Sequence, residues 1–309
     1  MSDAAGLLGR SLDGRSRVLL LGAGGWFGAT FLDLVARSGS NAEVLALTGR
    51  PRTIAVGGTE RELHAWDWRR IAAFEPTLVV NCAFLTREQL PQLGYDRYVA
   101  ENVRLSGRFL RTLALPSVTA AVTVSSGAAV EAIAGAPDAE TNPYGYLKWS
   151  EETAARALAE RFALALVVCR AWSVSGELVQ RPRDYAFSDL VLQARSGRIE
   201  IRAAHEVWRR YVSVHDLLAV CAALALDGRF ETVDSGGPLV ELGELAATIV
   251  RELAPGATIE RPAPGGFEAD RYHSDDRTWQ DACTRLRHQP ASLEEQIHAV
   301  AAGLAEPAA

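Results

Sequence analysis

The chain has 309 residues, a formal net charge of −6 and 48% hydrophobic residues, enough to bury the core of one large domain or two closely joined ones. The negative charge gives no support to binding of nucleic acid or of an anionic membrane surface, so neither partner is expected. No apolar run approaches the ~20 residues of a membrane span, and the first residues lack the apolar core of a signal peptide. We therefore expect a soluble, cytoplasmic protein.

Short apolar runs alternate with longer helical patterns through the first half of the chain. The predicted strands cover residues 17–23, 42–49, 62–67, 76–84, 118–127 and 164–174, and the longer predicted helices begin at Trp26, Tyr95 and Pro143. Strands that alternate with helices form parallel sheets, and continuously apolar strands suit a sheet that is covered on both faces. The pattern predicts an α/β fold with a doubly wound, Rossmann-like parallel sheet.

After about residue 176 the regular alternation of strands and helices gives way to shorter, mixed elements, and the loops between them are rich in proline and glycine. We predict a dinucleotide-binding domain at 16–176, to which 207–237 return, and a smaller C-terminal substrate-binding cap formed by 177–206 and 238–305. The four cysteines are widely spaced, which is typical of free thiols in a reducing compartment, and no metal site is expected.

A glycine-rich turn follows the first strand and opens a helix. Gly22, Gly25 and Gly28 have GxxGxxG spacing, which permits a tight turn, close approach of the backbone to a pyrophosphate, and close packing of helix on sheet. The helix N-terminus adds unpaired N–H groups for the anion. The turn predicts dinucleotide binding, with Trp26 and Phe27 beside the glycines as further cofactor contacts.

The end of the second strand bears on which dinucleotide binds. An Asp or Glu there would accept hydrogen bonds from the ribose hydroxyls of NAD, but the strand ends in "LALTGRPR", with Arg50 and Arg52 just beyond. A cation in place of a carboxylate can accommodate a 2′-phosphate, so NADP is the first expectation and NAD the second. Asp67, after the third strand, is a candidate to bind the adenine amino group, although it could equally be a turn residue.

The only lysine among the 32 Lys and Arg residues lies in "NPYGYLK". Asn142 suits a helix N-cap and Pro143 the first helical position, which places Tyr144 and Lys148 one turn apart on the same face. An ammonium near a phenol lowers the pKa of the phenol and makes it a general acid and base. It can also bind the nicotinamide ribose, in a geometry that a planar guanidinium cannot reproduce. We predict that Tyr144 and Lys148 are catalytic.

A hydroxyl partner is expected at the end of the preceding strand. The strand "VTVSSGAAV" offers Ser125 and Ser126, and we choose Ser126 as the residue that hydrogen-bonds the substrate oxygen.

Together these residues resemble the extended short-chain dehydrogenase/reductase superfamily, in particular its nucleotide-sugar epimerases, dehydratases and ketoreductases. The similarity covers nearly the whole chain and is carried by the segments "GAGGWFG", "ENVRLSGRFLRTL", "VSSGAAV", "PYGYLKWSEE", "CRAWSVSG", "RRYVSVHDLLAV" and "HQPASLEEQI". The resemblance implies Ser126, Tyr144 and Lys148 as the catalytic set and Gly22, Gly25 and Gly28 as the cofactor turn.

The resemblance also suggests substrate contacts and an assembly. Arg209 matches a position that often meets the substrate diphosphate, and Ser173 stands where many epimerases have Asn. Apart from the resemblance, Arg271 in "DRYHSDDR" is a candidate phosphate ligand in the cap. The helices at 95–115 and 143–160 would pair across a homodimer as a four-helix bundle.

One departure from the family narrows the chemistry. The 4,6-dehydratases place an acidic pair directly after the catalytic hydroxyl residue, where this chain has Gly127 and Ala128. We therefore expect an NADP(H)-dependent ketoreductase acting on a nucleotide-activated ketosugar. The alternatives are an NAD-dependent nucleotide-sugar 4-epimerase, an NADPH reductase of a small non-sugar carbonyl compound, and a non-catalytic NADP-binding sensor.

Overall fold

The structure is a computed structural model that describes residues 3–135, 139–263, 265 and 268–305. These residues divide into two compact units. The first unit contains 4–171 and 218–234, and the second contains residue 3, 172–217 and 235–305. No helix within the described ranges is both long enough and apolar enough to cross a membrane.

The described residues form twelve α-helices and fourteen β-strands. The helices are α1 Ala4–Ser11, α2 Trp26–Arg37, α3 Trp68–Phe74, α4 Leu90–Leu93, α5 Tyr95–Thr112, α6 Ala128–Gly135, α7 Pro143–Phe162, α8 Ala186–Arg195, α9 Val214–Leu226, α10 Leu242–Leu253, α11 Arg277–Leu286 and α12 Leu293–Gly303. The strands are β1 Arg17–Leu21, β2 Glu43–Leu47, β3 Arg52–Val56, β4 Thr59–Leu63, β5 Leu78–Asn81, β6 Ala120–Ser126, β7 Ala165–Ala171, β8 Ser173–Ser175, β9 Arg198–Glu200, β10 Val207–Ser213, β11 Phe230–Asp234, β12 Leu239–Glu241, β13 Thr258–Glu260 and β14 Asp270–Arg271.

A six-stranded parallel sheet organises the first unit, in the order β11-β7-β6-β5-β1-β2. Its central strands are almost entirely buried, since β5 and β6 expose little more than Val124. The apolar runs of the sequence follow from this burial, because side chains of a doubly covered sheet are removed from water on both faces. The predicted α/β fold with a doubly wound parallel sheet is confirmed.

The carboxyl ends of β1, β2, β5 and β6 meet at one edge of this sheet because the strands are parallel. The order reverses at β1, since the chain crosses to β2 on one side of it and to β5 on the other. The crevice beyond such a switch point is where open α/β sheets bind ligands.

The second unit is built from smaller sheets and helices. Strand β10 pairs with β8, β12 and β14, and β9 pairs with β13. A separate apolar core packs α8, α10 and α12 together around residues such as Phe187, Leu245 and Ile297. The assignment of 177–206 and 238–305 as a substrate-binding cap stays a prediction.

The first unit also contains local elements that the sequence did not predict or predicted only in part, as for β4, which overlaps the predicted strand at 62–67. Helix α1 precedes the sheet and buries Ala4, Leu7 and Leu8 along one face. An antiparallel hairpin of β3 and β4 follows β2, with Gly57 and Gly58 in its turn at φ of 57° and 73°. A Gly-Gly pair is a recognised hairpin signal because both turn positions require positive φ. Helix α6 occupies part of the short connection between Ser126 and Tyr144.

Candidate active site

The glycine-rich turn adopts a backbone that other residues would disturb. Gly22 has a φ of 78°, and a Cβ there would lie 2.6 Å from the backbone nitrogen of Ala83. A Cβ on Gly28 would lie 2.6 Å from the Cα of Ala23, so this glycine lets α2 approach the turn closely. Gly25 is the N-cap of α2, and its N–H donates to the Gly22 carbonyl at 3.0 Å. The turn therefore has the tight form predicted for it.

A cavity of about 420 Å³ lies beside this turn within the first unit. It is lined by the turn, by the residues that end β2, by residues 82–85 after β5, and by one face of α5. Trp26 and Phe27 open α2 and pack edge to face, with ring centroids 5.8 Å apart. Neither is among the residues that line the cavity, so their contact with a cofactor stays a prediction.

Arg52, at the start of the hairpin, contacts the glycine turn. Its Nη2 donates to the carbonyl of Gly24 at 2.6 Å. A Cβ on Gly24 would lie 2.8 Å both from this guanidinium and from Oγ1 of Thr48, so the three residues meet at one place. Arg50, the sequence candidate, is exposed. Because Arg52 is brought there by the β3–β4 hairpin, its position could not be read from its distance along the chain.

Asp67 is the N-cap of α3 and accepts hydrogen bonds from the backbone N–H groups of Arg69 and Arg70 at 2.9 and 3.3 Å. Its neighbour Trp66 lines the cavity. Asp67 therefore has a local role in starting a helix, and its contact with adenine stays a prediction.

Helix α7 presents Tyr144 and Lys148. Asn142 caps the helix by accepting a hydrogen bond from the Gly145 N–H at 3.0 Å, and Pro143 occupies the first helical position. This is the N-terminus that the sequence predicted, and it places the phenol and the ammonium one turn apart.

Lys148 is almost completely buried, with 4% of its surface exposed. Its Nζ donates to the carbonyl of Val124 on β6 at 2.7 Å and lies 3.7 Å from the ring centroid of Phe84. Burial lowers the pKa of Lys148, and the nearby carboxylates of Glu151 and then Glu152 oppose that shift.

Phe84 links the tyrosine, the lysine and the cavity. Its ring packs edge to face on Tyr144, with centroids 5.7 Å apart, while its face covers Nζ of Lys148. Phe84 also lines the cavity. Sequence reasoning missed this residue, because "TLVVNCAF" looked like an ordinary apolar run. The available signal was its position just after a strand that ends next to β1.

The two serines at the end of β6 face different partners. Ser125 donates to Oε1 of Glu152 at 2.5 Å, whereas Ser126 accepts a hydrogen bond from the Ala128 N–H at 3.2 Å. Ser125 is engaged with α7, which favours Ser126 as the residue that can meet a substrate.

Two glutamates follow Lys148 on the buried face of α7. Glu152 forms an ion pair with Arg170 of β7 at 2.6 Å. Glu151 accepts hydrogen bonds from Asn81, Ser106 and Thr123. Sequence reasoning gave neither glutamate a role, although both lie within the segment "PYGYLKWSEE".

Besides Ser126, the predicted substrate ligands Ser173, Arg209 and Arg271 belong to the second unit. Ser173 pairs with Tyr211 in the ladder between β8 and β10. Arg209 forms an ion pair with Asp270 at 2.6 Å, and the Arg271 guanidinium lies 5.4 Å from the ring centroid of Trp208. The structure thus brings Arg209 and Arg271 to neighbouring strands, and their contact with substrate stays a prediction.

Comparison with known proteins identifies the family. The family model "NAD dependent epimerase/dehydratase family" matches residues 18–233, whereas a search of curated protein sequences finds no significant match.

Solved structures share the fold. The UDP-glucose 4-epimerase of Brucella ovis in complex with NAD is 19% identical at a TM-score of 0.70, over 93% of this chain and 98% of that one. The UDP-glucose 4-epimerase of Thermotoga maritima with UDP-glucose is 20% identical at 0.67, over 93% and 98%. The dTDP-glucose 4,6-dehydratase of Bacillus anthracis in complex with NAD is 16% identical at 0.69, over 93% and 96%. Because the family model spans most of the chain, the protein belongs to the NAD-dependent epimerase/dehydratase family, as its resemblance to extended short-chain dehydrogenases indicated.

Proposed function

We propose that the protein is an enzyme that exchanges hydride and a proton at a hydroxyl-bearing carbon of a nucleotide-activated sugar, and that it acts as an NAD-dependent 4-epimerase. The observation that carries the proposal is the pairing of Tyr144 with a buried Lys148, linked through Phe84 to the cavity beside the glycine turn.

The residues at the turn fit a nicotinamide dinucleotide. Gly22 and Gly28 let the turn pack against backbone atoms that a Cβ would meet, and the adjoining cavity of about 420 Å³ is of the size that small-molecule sites have. In this proposal Gly22, Gly25 and Gly28 hold the pyrophosphate, and Lys148 holds the nicotinamide ribose. A bound dinucleotide would supply hydride to a carbonyl carbon and take it back from an alcohol.

The side chains of the chain itself handle the proton. Tyr144 takes the proton of the sugar hydroxyl during oxidation and returns it to the ketone oxygen during reduction. The Lys148 ammonium stabilises the phenolate form of Tyr144. Ser126 donates a hydrogen bond to the same substrate oxygen and so fixes its position.

The substrate class rests on similar proteins. Structures with this fold include UDP-glucose 4-epimerases, one of them with UDP-glucose. Dehydration is not proposed, because Gly127 and the buried Ala128 occupy the positions of the acidic pair found in 4,6-dehydratases. In the second unit, Arg209 and Arg271 are the proposed ligands of the substrate diphosphate. A guanidinium can donate two parallel hydrogen bonds to the oxygens of one phosphate.

A ketoreductase that uses NADP(H) is the second candidate. The observation that favours it is the position of the Arg52 guanidinium, which donates to the carbonyl of Gly24. A 2′-phosphate would lie near the end of the second strand, β2, in a fold of this kind. The NAD complexes of the similar structures favour the epimerase. Two alternatives remain, a reductase of small non-sugar carbonyl compounds and a non-catalytic sensor. No particular contact among the described residues favours either of them.

A homodimer is also proposed. Helices α5 and α7 expose the apolar side chains of Tyr95, Val103, Tyr146 and Trp149. Exposed apolar faces on adjacent helices are typical of surfaces that pack against another chain, and a second copy would complete a four-helix bundle.

Replacement of Tyr144 by Phe tests the proposed function. The Y144F variant should lose at least about 100-fold in turnover, because proton transfer by a positioned side chain contributes at least that much. It should still bind NAD, since the glycine turn and Lys148 are unchanged. Turnover is followed by chromatography of a panel of UDP- and dTDP-hexoses incubated with NAD or NADPH.

The matched control is Tyr146→Phe, two residues along α7. The Tyr146 side chain is exposed, so removal of its hydroxyl should leave turnover unchanged. Full turnover in Y144F would overturn the role of Tyr144. If the unmodified protein converts none of the panel with either cofactor, the substrate class is wrong.

A further inference from the structure

Glu151 is a buried carboxylate in the first unit whose side chain is surrounded by donors from three other elements. Oε1 accepts from Nδ2 of Asn81 at 3.2 Å and from Oγ1 of Thr123 at 3.0 Å, and Oε2 accepts from Oγ of Ser106 at 2.5 Å. Asn81 ends β5, Thr123 lies on β6 and Ser106 lies on α5. Three donors on two oxygens satisfy a carboxylate, which in its ionised form only accepts hydrogen bonds.

The cation that faces this carboxylate is Lys148. Within the described residues, the ion-pair partner of Glu151 is Nζ of Lys148, at 3.9 Å from Oε1. At that separation in a buried site the attraction is far stronger than in water. Both side chains are at least 95% buried, so neither charge is compensated by solvent.

The other ionisable groups near Lys148 cannot take this role. Glu152 is engaged by Arg170, which donates from Nε and Nη2 to both carboxylate oxygens. The thiols of Cys82, just after β5, and of Cys169, within β7, also lie near the lysine. Burial raises the pKa of the Cys82 thiol, which is therefore neutral near pH 7, and Cys169 is fully buried.

The other contacts of the ammonium among the described residues are uncharged. Nζ bonds the carbonyl of Val124 and lies over the face of Phe84. These contacts favour a cation but replace only part of the hydration that burial removes. A buried lysine without a counter-charge tends to give up its proton, and neutral lysines in protein interiors are documented.

We propose that Glu151 is a positioning residue that holds Lys148 in its ammonium form and in place, one helical turn from Tyr144. The inference deepens the proposed function and rests on it for its catalytic meaning. Glu151 acts through Lys148 and has no assigned contact with substrate or cofactor. The Lys-x-x-Glu spacing on α7 permits the pairing, because residues three apart share a helix face.

The single lysine makes a direct test possible. Protein labelled with ¹³C-lysine has one side-chain Cε resonance, since Lys148 is the only lysine, and this resonance reports the protonation of Nζ without substrate or cofactor. In the unmodified protein it should keep the ammonium shift from about pH 6 to about pH 8. A lysine that becomes neutral within that range would overturn the proposal.

Glu151→Gln removes the charge and keeps the shape of the side chain. The midpoint of the lysine titration should fall by about one pH unit or more, because an opposite charge at this distance shifts a pKa by that amount. Glu151→Asp keeps the charge, so its lysine midpoint should lie close to that of the unmodified protein. Glu160→Gln, an exposed change on the same helix, is the matched control and should have no effect.

A purely structural role predicts a different result. In that case Glu151→Gln lowers the melting temperature but leaves the lysine midpoint and the pH profile of kcat where they were, and the proposal fails. If Glu151→Gln does not fold, the titrations of the unmodified protein and of Glu151→Asp decide. Since these titrations need no turnover, they stand even if Tyr144→Phe shows that the proposed reaction is wrong.

Discussion

Lys148 is held by three kinds of partner: a backbone carbonyl, an aromatic face and a carboxylate. The carbonyl of Val124 fixes Nζ at 2.7 Å, and the ring of Phe84 covers it at 3.7 Å. An ammonium is compact enough to meet both at once. A guanidinium is planar, larger and forked, so it cannot occupy this space in the same way. At the residue scale this explains how a chain with 31 arginines can depend on one lysine.

Lys148→Arg should therefore lose at least about 100-fold in turnover and bind the nicotinamide dinucleotide more weakly. Its melting temperature should also fall, because the guanidinium must displace Phe84. Turnover, cofactor titration and thermal unfolding measure these effects. The control is Arg161→Lys, which replaces an exposed arginine of α7 by lysine and should change none of these three quantities. A fully active Lys148→Arg enzyme would mean that the lysine has no special role.

Arg52 decides between the two candidate cofactors if the guanidinium lies where a 2′-phosphate binds. Arg52→Gln should then weaken NADPH binding about tenfold, or ~1.4 kcal/mol, and leave NAD binding nearly unchanged. Arg50→Gln, an exposed control in the same loop, should have a smaller effect. Fluorescence titration of the unmodified protein and of both variants with each dinucleotide gives the six affinities. An equal loss for both cofactors would remove the support for the ketoreductase.

At the scale of single elements, helix α10 shows how one side chain can join a helix to a sheet and to a loop. Glu241 ends β12 and caps α10, accepting from the backbone N–H groups of Val207 and Gly243. Arg261 pairs with both of its oxygens, at 2.8 and 2.9 Å. Burial acts to raise the pKa of Glu241, but Arg261 and the two N–H donors outweigh it and lower this pKa to about 2.

The folded-state pKa of Glu241 lies below its ordinary value of 4.5, so its stabilising effect is present above that pH and is lost as the pH falls through about 2. Glu241→Gln should lower the free energy of unfolding at pH 7 by an amount on the order of 1 kcal/mol. The difference from the unmodified protein should shrink between pH 4.5 and pH 2. Urea unfolding at several pH values measures it, with the exposed Glu268→Gln as control. A difference that does not depend on pH would contradict the assignment.

On the scale of the whole molecule, exposed apolar side chains are concentrated on two helices of the first unit. Tyr146 and Trp149 lie one turn apart on α7 with ring centroids 5.7 Å apart, and Val103 of α5 is 56% exposed. Such residues are costly to leave in water, which is the physical reason to expect a second chain there.

Trp149→Glu should convert the proposed dimer into a monomer, because burying an unpaired carboxylate in an apolar interface is unfavourable. Sedimentation velocity at micromolar concentration measures the mass of the assembly. Phe230→Glu is the control, since Phe230 is similarly exposed but starts β11 and lies on neither helix. If the unmodified protein is already a monomer, no dimer forms through this face.

The sequence by itself determined those features whose information is local. The alternation of apolar strands with helices specified the parallel sheet, because it reflects burial on both faces. The spacing of Gly22, Gly25 and Gly28 specified the turn. The four-residue step from Tyr144 to Lys148 specified their shared helix face, because 3.6 residues make one turn.

Only the tertiary structure decided which distant residues meet. Phe84 reaches Tyr144 and Lys148 from 60 or more positions away, and Glu151 gathers donors from β5, β6 and α5. Arg52 rather than Arg50 contacts the glycine turn because a hairpin directs it there. These contacts depend on strand order and crossovers, which bring remote segments to one edge of the sheet, and no local spacing encodes them.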